Sequence, residues 1–234
     1  MTTTPPTTTP PTAAPGADIV ERLARLDTCA VSDAMESLGL SGAALGIHAV
    51  TVAQPVAGRV ITMELGPFAG VPAARHLGTA AVDAAQPGDV IVVANGGRAQ
   101  VSGWGGVLSA GAVTRGVAAV VTDGGVRDVD QATAYQLPLY AAGVIPQTAR
   151  GRVIETSWNE PVTVAGVAVA PGDYVLADGS GVVFVPAARA DDILRAAERI
   201  AAREELMAAR ALAGEPMVEV MGHDYETMLD GATK

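Results

Sequence analysis

Residues 87–128 read PGDVIVVANGGRAQVSGWGGVLSAGAVTRGVAAVVTDGGVRD. Pro87-Gly88-Asp89 is a turn. Val90-Ile91-Val92-Val93-Ala94 behind it is a short unbroken apolar run, as expected of a strand buried on both faces. Asn95-Gly96-Gly97-Arg98 reads as a loop. Trp104 to Arg115 reads as a helix with Val107, Leu108, Gly111 and Ala112 on one side, closed by Gly116. Val117 to Thr122 is a second buried strand. Strand, helix and strand in this order predict a right-handed parallel crossover. Ligands of such units gather at the carboxyl ends of the strands. Those ends carry Asn95-Gly96-Gly97 and Thr122-Asp123-Gly124-Gly125-Val126-Arg127-Asp128, where two acids, a double glycine and an arginine fall within seven residues.

On the N-terminal side, Ile19, Leu23, Leu26, Ala30, Val31, Met35 and Leu38 recur at three- and four-residue steps and predict a helix stopped by Gly39. Within it, Ser32-Asp33 reads as a solvated or capping pair, and Cys29 as a small core residue. Ala49 to Met63 reads as strands broken at Gln54-Pro55 and at Gly58. On the C-terminal side, Pro161–Val169, Tyr174–Ala177 and Val182–Val185 read as β structure, joined by turns at Ala165-Gly166, Pro171-Gly172-Asp173 and Asp178-Gly179-Ser180-Gly181. A long helix follows from Ala187 to Ala213. The order predicts one α/β domain with mixed sheets, not a doubly wound fold. Residues 1–16, rich in Thr and Pro, read as a disordered tail, and residues 17–234 as the folded domain.

Composition narrows the function. The 234 residues are 49% hydrophobic but only 3% aromatic, so Ala, Val and Gly fill the interior. A net charge of -10 without a basic run argues against nucleic-acid binding. No stretch approaches a membrane span or a signal peptide, and a single cysteine suits a reducing compartment. A cytoplasmic protein with neither a nucleic-acid nor a membrane partner is expected.

The segment Gly103-Trp104-Gly105-Gly106-Val107-Leu108 lies at the predicted helix N-terminus, where unpaired N–H groups attract anions and glycine admits close approach. It has neither the Walker nor the dinucleotide spacing, so a small carboxylate is the better ligand. The same glycines equally suit tight helix packing. Arg127 offers a planar fork for a carboxylate, or a structural ion pair with Asp123, Asp128 or Asp130. Asp128 is a hard oxygen donor able to hold Mg²⁺ or Mn²⁺ with waters and substrate completing the shell, or else a turn or helix cap. His48, His76 and His223 lie far apart without metal-ligand spacing and read as structural or exposed. No Gly-x-Ser-x-Gly elbow appears.

Four blocks in order, GDVIVVANGG, WGGVLSAGAVTRGVAAVVTDGGVRD, LPLYAAGVIP and PGDYVLADGSGVVFVP, resemble the RraA-like proteins over roughly residues 18–222. That family includes 4-hydroxy-4-methyl-2-oxoglutarate aldolases and protein regulators of ribonuclease E. The resemblance implies a swivelling β/β/α-type fold and a homo-oligomer, a trimer or a pair of trimers, with active sites between subunits. It implies a divalent-metal lyase, using Mg²⁺ or Mn²⁺, that cleaves a small 2-oxo acid or decarboxylates oxaloacetate and releases pyruvate. Arg127 matches the arginine that binds the pyruvate part and Asp128 the metal-binding aspartate. Gly103 to Leu108 match the loop whose N–H groups hold the carboxylate.

One departure matters. The resembling aldolases carry an acid directly after the Trp-Gly pair, which holds metal-bound waters and aids proton transfer; this chain has Gly106. The family pattern thus admits three readings: a lyase, a different reaction on the same scaffold, or a non-catalytic binding protein. The aldolases also borrow a glutamate from a neighbouring subunit's C-terminal helix. Glu204, on the face of Ile193, Ala197, Ile200 and Met207, is its expected counterpart, ahead of Glu205; both also read as solvated acids.

Overall fold

The computed structural model describes residues 17–71 and 75–222. The predicted tail 1–16, the last residues of the expected domain and His223 lie outside the described residues. The N-terminal helical pattern divides into α1 (Ala17–Leu23) and α2 (Thr28–Ser37). The break falls at Asp27, whose side chain accepts the Ala30 N–H at 2.8 Å and caps α2. Ser32 and Asp33 consequently lie inside α2, half-buried, and neither is its cap. Cys29 is exposed rather than in the core, because α2 buries Thr28, Ala30, Val31, Ala34 and Met35. Gly39 ends the segment with φ 69°, as its position predicts.

After β1 (His48–Ala49), β2 (Val56–Pro67) runs twelve residues straight through Gly58. The break expected there is absent. A Cβ on Gly58 would come within 2.5 Å of the Gly88 carbonyl oxygen, so this glycine admits a close crossing rather than ending a strand. Then come α3 (Thr79–Ala84), β3 (Val90–Ala94), β4 (Ser102–Trp104), α4 (Gly106–Thr114) and β5 (Ala119–Val126). β3 and β5 are parallel, with Val90 beside Ala119 and Val93 beside Thr122, as the crossover reading requires. Two details differ. The helix begins at Gly106, so Gly103 and Trp104 belong to a strand. The face α4 buries is Gly106, Ser109 and Ala112, while Val107 is 89% exposed.

β5 also continues beyond the expected Thr122, and all eight of its residues are buried. The double glycine lets the loop after β3 lie on it. A Cβ on Gly124 would overlap the Asn95 carboxamide, and one on Gly125 would come 2.6 Å from the Ala99 carbonyl oxygen. Asp123 ties that loop down, accepting the N–H groups of Asn95 at 2.6 Å and Gly97 at 2.9 Å. Asp123 is therefore structural, which removes one of the three acids considered for Arg127.

α5 (Val129–Ala134), β6 (Leu139–Val144) and β7 (Val153–Trp158) follow, then the hairpin β8 (Val162–Val164) and β9 (Val167–Val169). β10 (Tyr174–Asp178), β11 (Gly181–Val185), a 3₁₀ turn (Ala187–Arg189), α6 (Ala190–Leu212) and α7 (Met217–Val220) complete the described chain. The main sheet is ordered β1-β6-β5-β3-β2-β10-β11, with β4 added to β5 and β7 to β2. β2, β3, β5 and β6 are parallel neighbours, whereas β10 is antiparallel to β2 and to β11. The residues before β1 reach the far edge, with Ala44 N–H on Val182 O at 2.9 Å, so the sheet is nearly closed into a barrel.

Three apolar layers explain the arrangement. α3, α4 and α5 cover one face of the parallel strands through Ala81, Ala112, Ala132, Ile91 and Val120. The other face meets the β8–β9 hairpin and the curled β10–β11 pair through Val92, Val121, Val164 and Phe184. α1, α2 and α6 pack on the outside of β10 and β11 through Met35, Leu176, Val185, Ile193 and Ala197. The result is a mixed α/β fold with a long C-terminal helix. It leaves the carboxyl ends of β4 and β5 and the N-terminus of α4 at one place.

Candidate active site

β4 and β5 run parallel, with Ser102 beside Gly125 and Trp104 beside Val126, so their ends deliver Gly105-Gly106 and Arg127-Asp128 together. The Arg127 N–H donates to the Trp104 carbonyl at 3.0 Å and locks this register. Asp128 Oδ2 accepts the Gly106 N–H at 2.9 Å and Arg127 Nε at 3.2 Å. A Cβ on Gly105 would lie 3.0 Å from that oxygen and 3.3 Å from Arg127 Nε, so the glycine allows the loop to wrap the pair. Of the three acids open to Arg127, the partner is Asp128. The pair is about a third exposed, 38% and 33% of the side chains, which keeps it accessible to a ligand.

Asp128 stands at the N-cap position of α5, yet its side chain makes no cap; it turns back to α4. Its backbone is left-handed, φ 57° and ψ 37°, a conformation Asp adopts more readily than most non-glycine residues.

The open N–H groups are fewer than Gly103–Leu108 would offer. The indole of Trp104 is buried and donates to Ser109 Oγ at 3.0 Å, and Ser109 Oγ donates to the Gly105 carbonyl at 3.1 Å. These two residues brace the loop from behind. The Gly106 N–H is committed to Asp128. Among the described residues, the N–H groups of Val107 and Leu108 keep no backbone partner at the start of α4, where the helix dipole favours negative charge. Arg127 faces the same space.

That space is a recess of about 120 Å³, lined by Ser102 to Leu108, Arg127 and Asp128, and also by His76, Leu77, Thr148 and Ala149. It adjoins a basin of about 690 Å³ that shares His76, Leu77, Arg127, Thr148 and Ala149 and adds Arg75, Arg150 and Glu155. Sequence reading missed these rim residues. They come from segments remote in sequence that carry no motif of their own. His76 and His48 are exposed, as expected of them.

Glu204 is half-buried on α6 and Glu205 exposed, in line with the expected faces. Burial, then the charges of Asp27 and Asp33, push the Glu204 carboxyl above its ordinary range. Glu204 lines neither the recess nor the basin; within one chain it is not brought to Arg127 and Asp128.

Among the described residues no three His, Cys, Asp or Glu side chains gather as a metal site. The donor set at the recess nevertheless suits a hard cation held by one carboxylate. Both hydrogen bonds to Asp128 fall on Oδ2, and the Gln131 carboxamide oxygen lies beside Gly106 and Asp128.

The fold and this recess define a mixed α/β protein with an open helix N-terminus beside an Arg–Asp pair. Residues 28–184 match the RraA-like family, described as Aldolase/RraA, and the chain belongs to that family. It is 26% identical over 208 residues to Protein DlpA of Legionella pneumophila, a match covering 89% of this chain but only 34% of that protein. It is 26% identical over 188 residues to a Halalkalibacterium halodurans protein named "Putative 4-hydroxy-4-methyl-2-oxoglutarate aldolase", covering 80% of this chain and 86% of the other. The crystal structure of Streptomyces coelicolor RraAS2, described as an unusual member of the RNase ES inhibitor RraA protein family, superposes with a TM-score of 0.75 at 28% identity, covering 84% of this chain and 98% of that one. No helix among the described residues is long and apolar enough to cross a membrane.

Proposed function

We propose that this protein is a divalent-metal-dependent carbon–carbon lyase acting on a small 2-oxo acid, of the type of 4-hydroxy-4-methyl-2-oxoglutarate or oxaloacetate, and releasing pyruvate. The convergence of Arg127, Asp128 and the Val107 and Leu108 N–H groups on one recess carries the reading. The substrate's C1 carboxylate lies on the N–H groups at the start of α4 and is clamped by the Arg127 guanidinium. Asp128 would hold the cation, Mg²⁺ or Mn²⁺, which would supply Lewis acidity to the 2-oxo group. Gly105 and Gly106 keep Asp128 and Arg127 in one orientation, so the groups are aimed before substrate arrives. The protein works as a homo-oligomer, a trimer or hexamer in the cytoplasm, in which Glu204 of one subunit reaches the recess of the next.

Assays with oxaloacetate and 4-hydroxy-4-methyl-2-oxoglutarate, with and without Mg²⁺ or Mn²⁺, test this directly. Metal-dependent pyruvate release is expected; turnover of neither acid with either metal sinks the lyase reading. Gly106 favours one second reading, a regulator of an RNA-processing enzyme that acts by binding. Inhibition of an endoribonuclease by a chain inert toward both acids would support it.

A further inference from the structure

A lyase of this kind must move one proton, and the residue expected to help is missing: position 106 has no side chain. The other groups at the recess and basin narrow the choice. Arg75, Arg127 and Arg150 are guanidinium donors with no acceptor nitrogen to take a proton. Glu155 is only 4% exposed at its side chain and is engaged by Arg75 at 2.7 Å and by the Gly78 N–H at 2.7 Å. Asp128 is committed to Gly106 and Arg127. The Gln131 carboxamide does not ionise. His76 remains; it lines the recess and the basin together with Arg127.

The ring of His76 is held in one tautomer. Nδ1 lies 2.9 Å from the Leu77 carbonyl oxygen. A carbonyl only accepts, so Nδ1 carries the hydrogen, and in the neutral ring Nε2 presents its lone pair. The segment that carries the ring is anchored on both sides. Glu155 grips Arg75 and the Gly78 N–H, Arg75 lies over the Trp158 ring at 5.9 Å, and Thr79 Oγ1 donates to the His76 carbonyl at 2.8 Å. Leu77 is buried in the core between them. An imidazole with one nitrogen pinned and the other open, at the mouth of a carboxylate-binding recess, has the geometry of a general base.

We propose that His76 is the proton carrier of the lyase reaction, an assignment that rests on the function proposed above. His76 Nε2 takes the proton of the substrate's 4-hydroxyl as the C3–C4 bond breaks. The hydroxyl oxygen becomes the carbonyl oxygen of the departing 2-oxo acid. The electron pair of the C3–C4 bond passes into the enolate of pyruvate. The imidazolium then returns the same proton to C3, giving the pyruvate methyl group and regenerating neutral His76. One proton is taken and one returned, and no oxidant, reductant or further co-reactant is consumed. In decarboxylation of oxaloacetate the C3–C4 bond breaks to release CO₂ and leave the enolate, and His76, having taken a proton from solvent, delivers it to C3.

The test is exchange of pyruvate methyl protons in D₂O, followed by NMR on the full-length protein with Mg²⁺ or Mn²⁺, beside pyruvate binding measured by calorimetry. His76→Gln and His76→Asn are expected to lower methyl exchange and aldol cleavage about 100-fold or more while pyruvate Kd stays within about twofold. Added imidazole is expected to restore part of the exchange to His76→Ala. The Asn variant separates the roles, because its amide still reaches the Leu77 carbonyl but offers no base. Wild-type exchange in His76→Asn overturns the proposal, leaving a purely structural histidine. A wild-type protein that binds pyruvate and cleaves the aldol without exchanging methyl protons also overturns it, without touching the lyase reading. Failure of the wild type to bind pyruvate at all sinks the lyase reading and this proposal with it.

Discussion

The carboxamide of Gln131 occupies the space where a side chain at residue 106 would begin. A Cβ built on Gly106 would overlap Gln131 Oε1 and lie 2.9 Å from Gln131 Cδ and 3.2 Å from Asp128 Cβ. The missing acid and the presence of Gln131 are thus one feature: a neutral amide stands beside Asp128 in place of a second carboxylate. The local negative charge around Asp128 is lower than two carboxylates would give.

Gly106→Asp is therefore expected to fold. Gly106 is not among the positive-φ residues, and the obstacle is the far end of a flexible side chain on exposed α5. An acid in the first turn of α4 also suits the helix dipole. A stability change within about 1 kcal/mol is expected by thermal unfolding. Pairing it with Gln131→Ala relieves the overlap. A gain of about tenfold in oxaloacetate or aldol turnover, ~1.4 kcal/mol of barrier, is the expected outcome. A folded, metal-binding double variant with no gain on either acid counts against a site that merely lacks this carboxylate.

Asp128→Asn separates chemistry from fold better than Asp128→Ala. Asn tolerates the left-handed backbone of residue 128 and keeps an oxygen for the Gly106 N–H, but loses the charge. Metal-dependent turnover is expected to fall at least about 100-fold with the circular dichroism spectrum unchanged, and Mn²⁺ binding to weaken by calorimetry. Arg127→Ala is expected to act mainly on substrate affinity. The double variant is expected to lose much less than the sum of the two, because both serve one recess. Full activity in either single variant would make the pair structural.

Glu204→Gln tests the shared site. Burial, then Asp27 and Asp33, raise the carboxyl of Glu204, so its ionisation opposes folding above its folded pKa, and that penalty vanishes below its unfolded value of about 4.3. The Gln variant is expected to match or exceed the wild-type melting temperature at pH 8, with the difference gone near pH 4. If Glu204 reaches a neighbouring recess, turnover falls about tenfold or more despite that stability. Unchanged turnover, or a monomer by light scattering, removes Glu204 from the site.

Asp178 predicts the opposite pH dependence. Burial alone would raise its pKa, but hydrogen bonds from Thr28 N–H and Oγ1, both 2.8 Å, and from Ser180 N–H at 2.8 Å outweigh burial and hold it below the ordinary range. A depressed acid stabilises the fold above its unfolded pKa, about 3.9, and loses that contribution as pH falls through the folded value. Asp178→Asn is expected to cost about 1 kcal/mol at pH 7 by denaturant unfolding, with the gap closing below about pH 4. A gap constant down to pH 3 would show that the charge contributes nothing to the grip on α2.

What the sequence determined by itself is local. The apolar runs Val90–Ala94 and Val117–Thr122 with a helix between them suffice for a parallel crossover, because a strand buried on both faces cannot afford polar residues. That the acid and arginine at the end of β5 lie near the glycines before α4 was legible for the same reason: residue type and chain position settle which strand ends face one another. Tertiary structure decided everything that depends on neighbours remote in the chain. Gly58, Gly124 and Gly125 resemble breakers until Gly88, Asn95 and Ala99 are seen against them. Asp123 resembles an ion-pair partner for Arg127 until its oxygens are found on the Asn95 and Gly97 N–H groups. His76 and Gln131 carry no signal in their own segments. A side chain's chemistry at a site is set by what packs against it, and chain closure through the sheet brings residues 76, 106 and 128 to one recess, with Gln131 packed against Gly106.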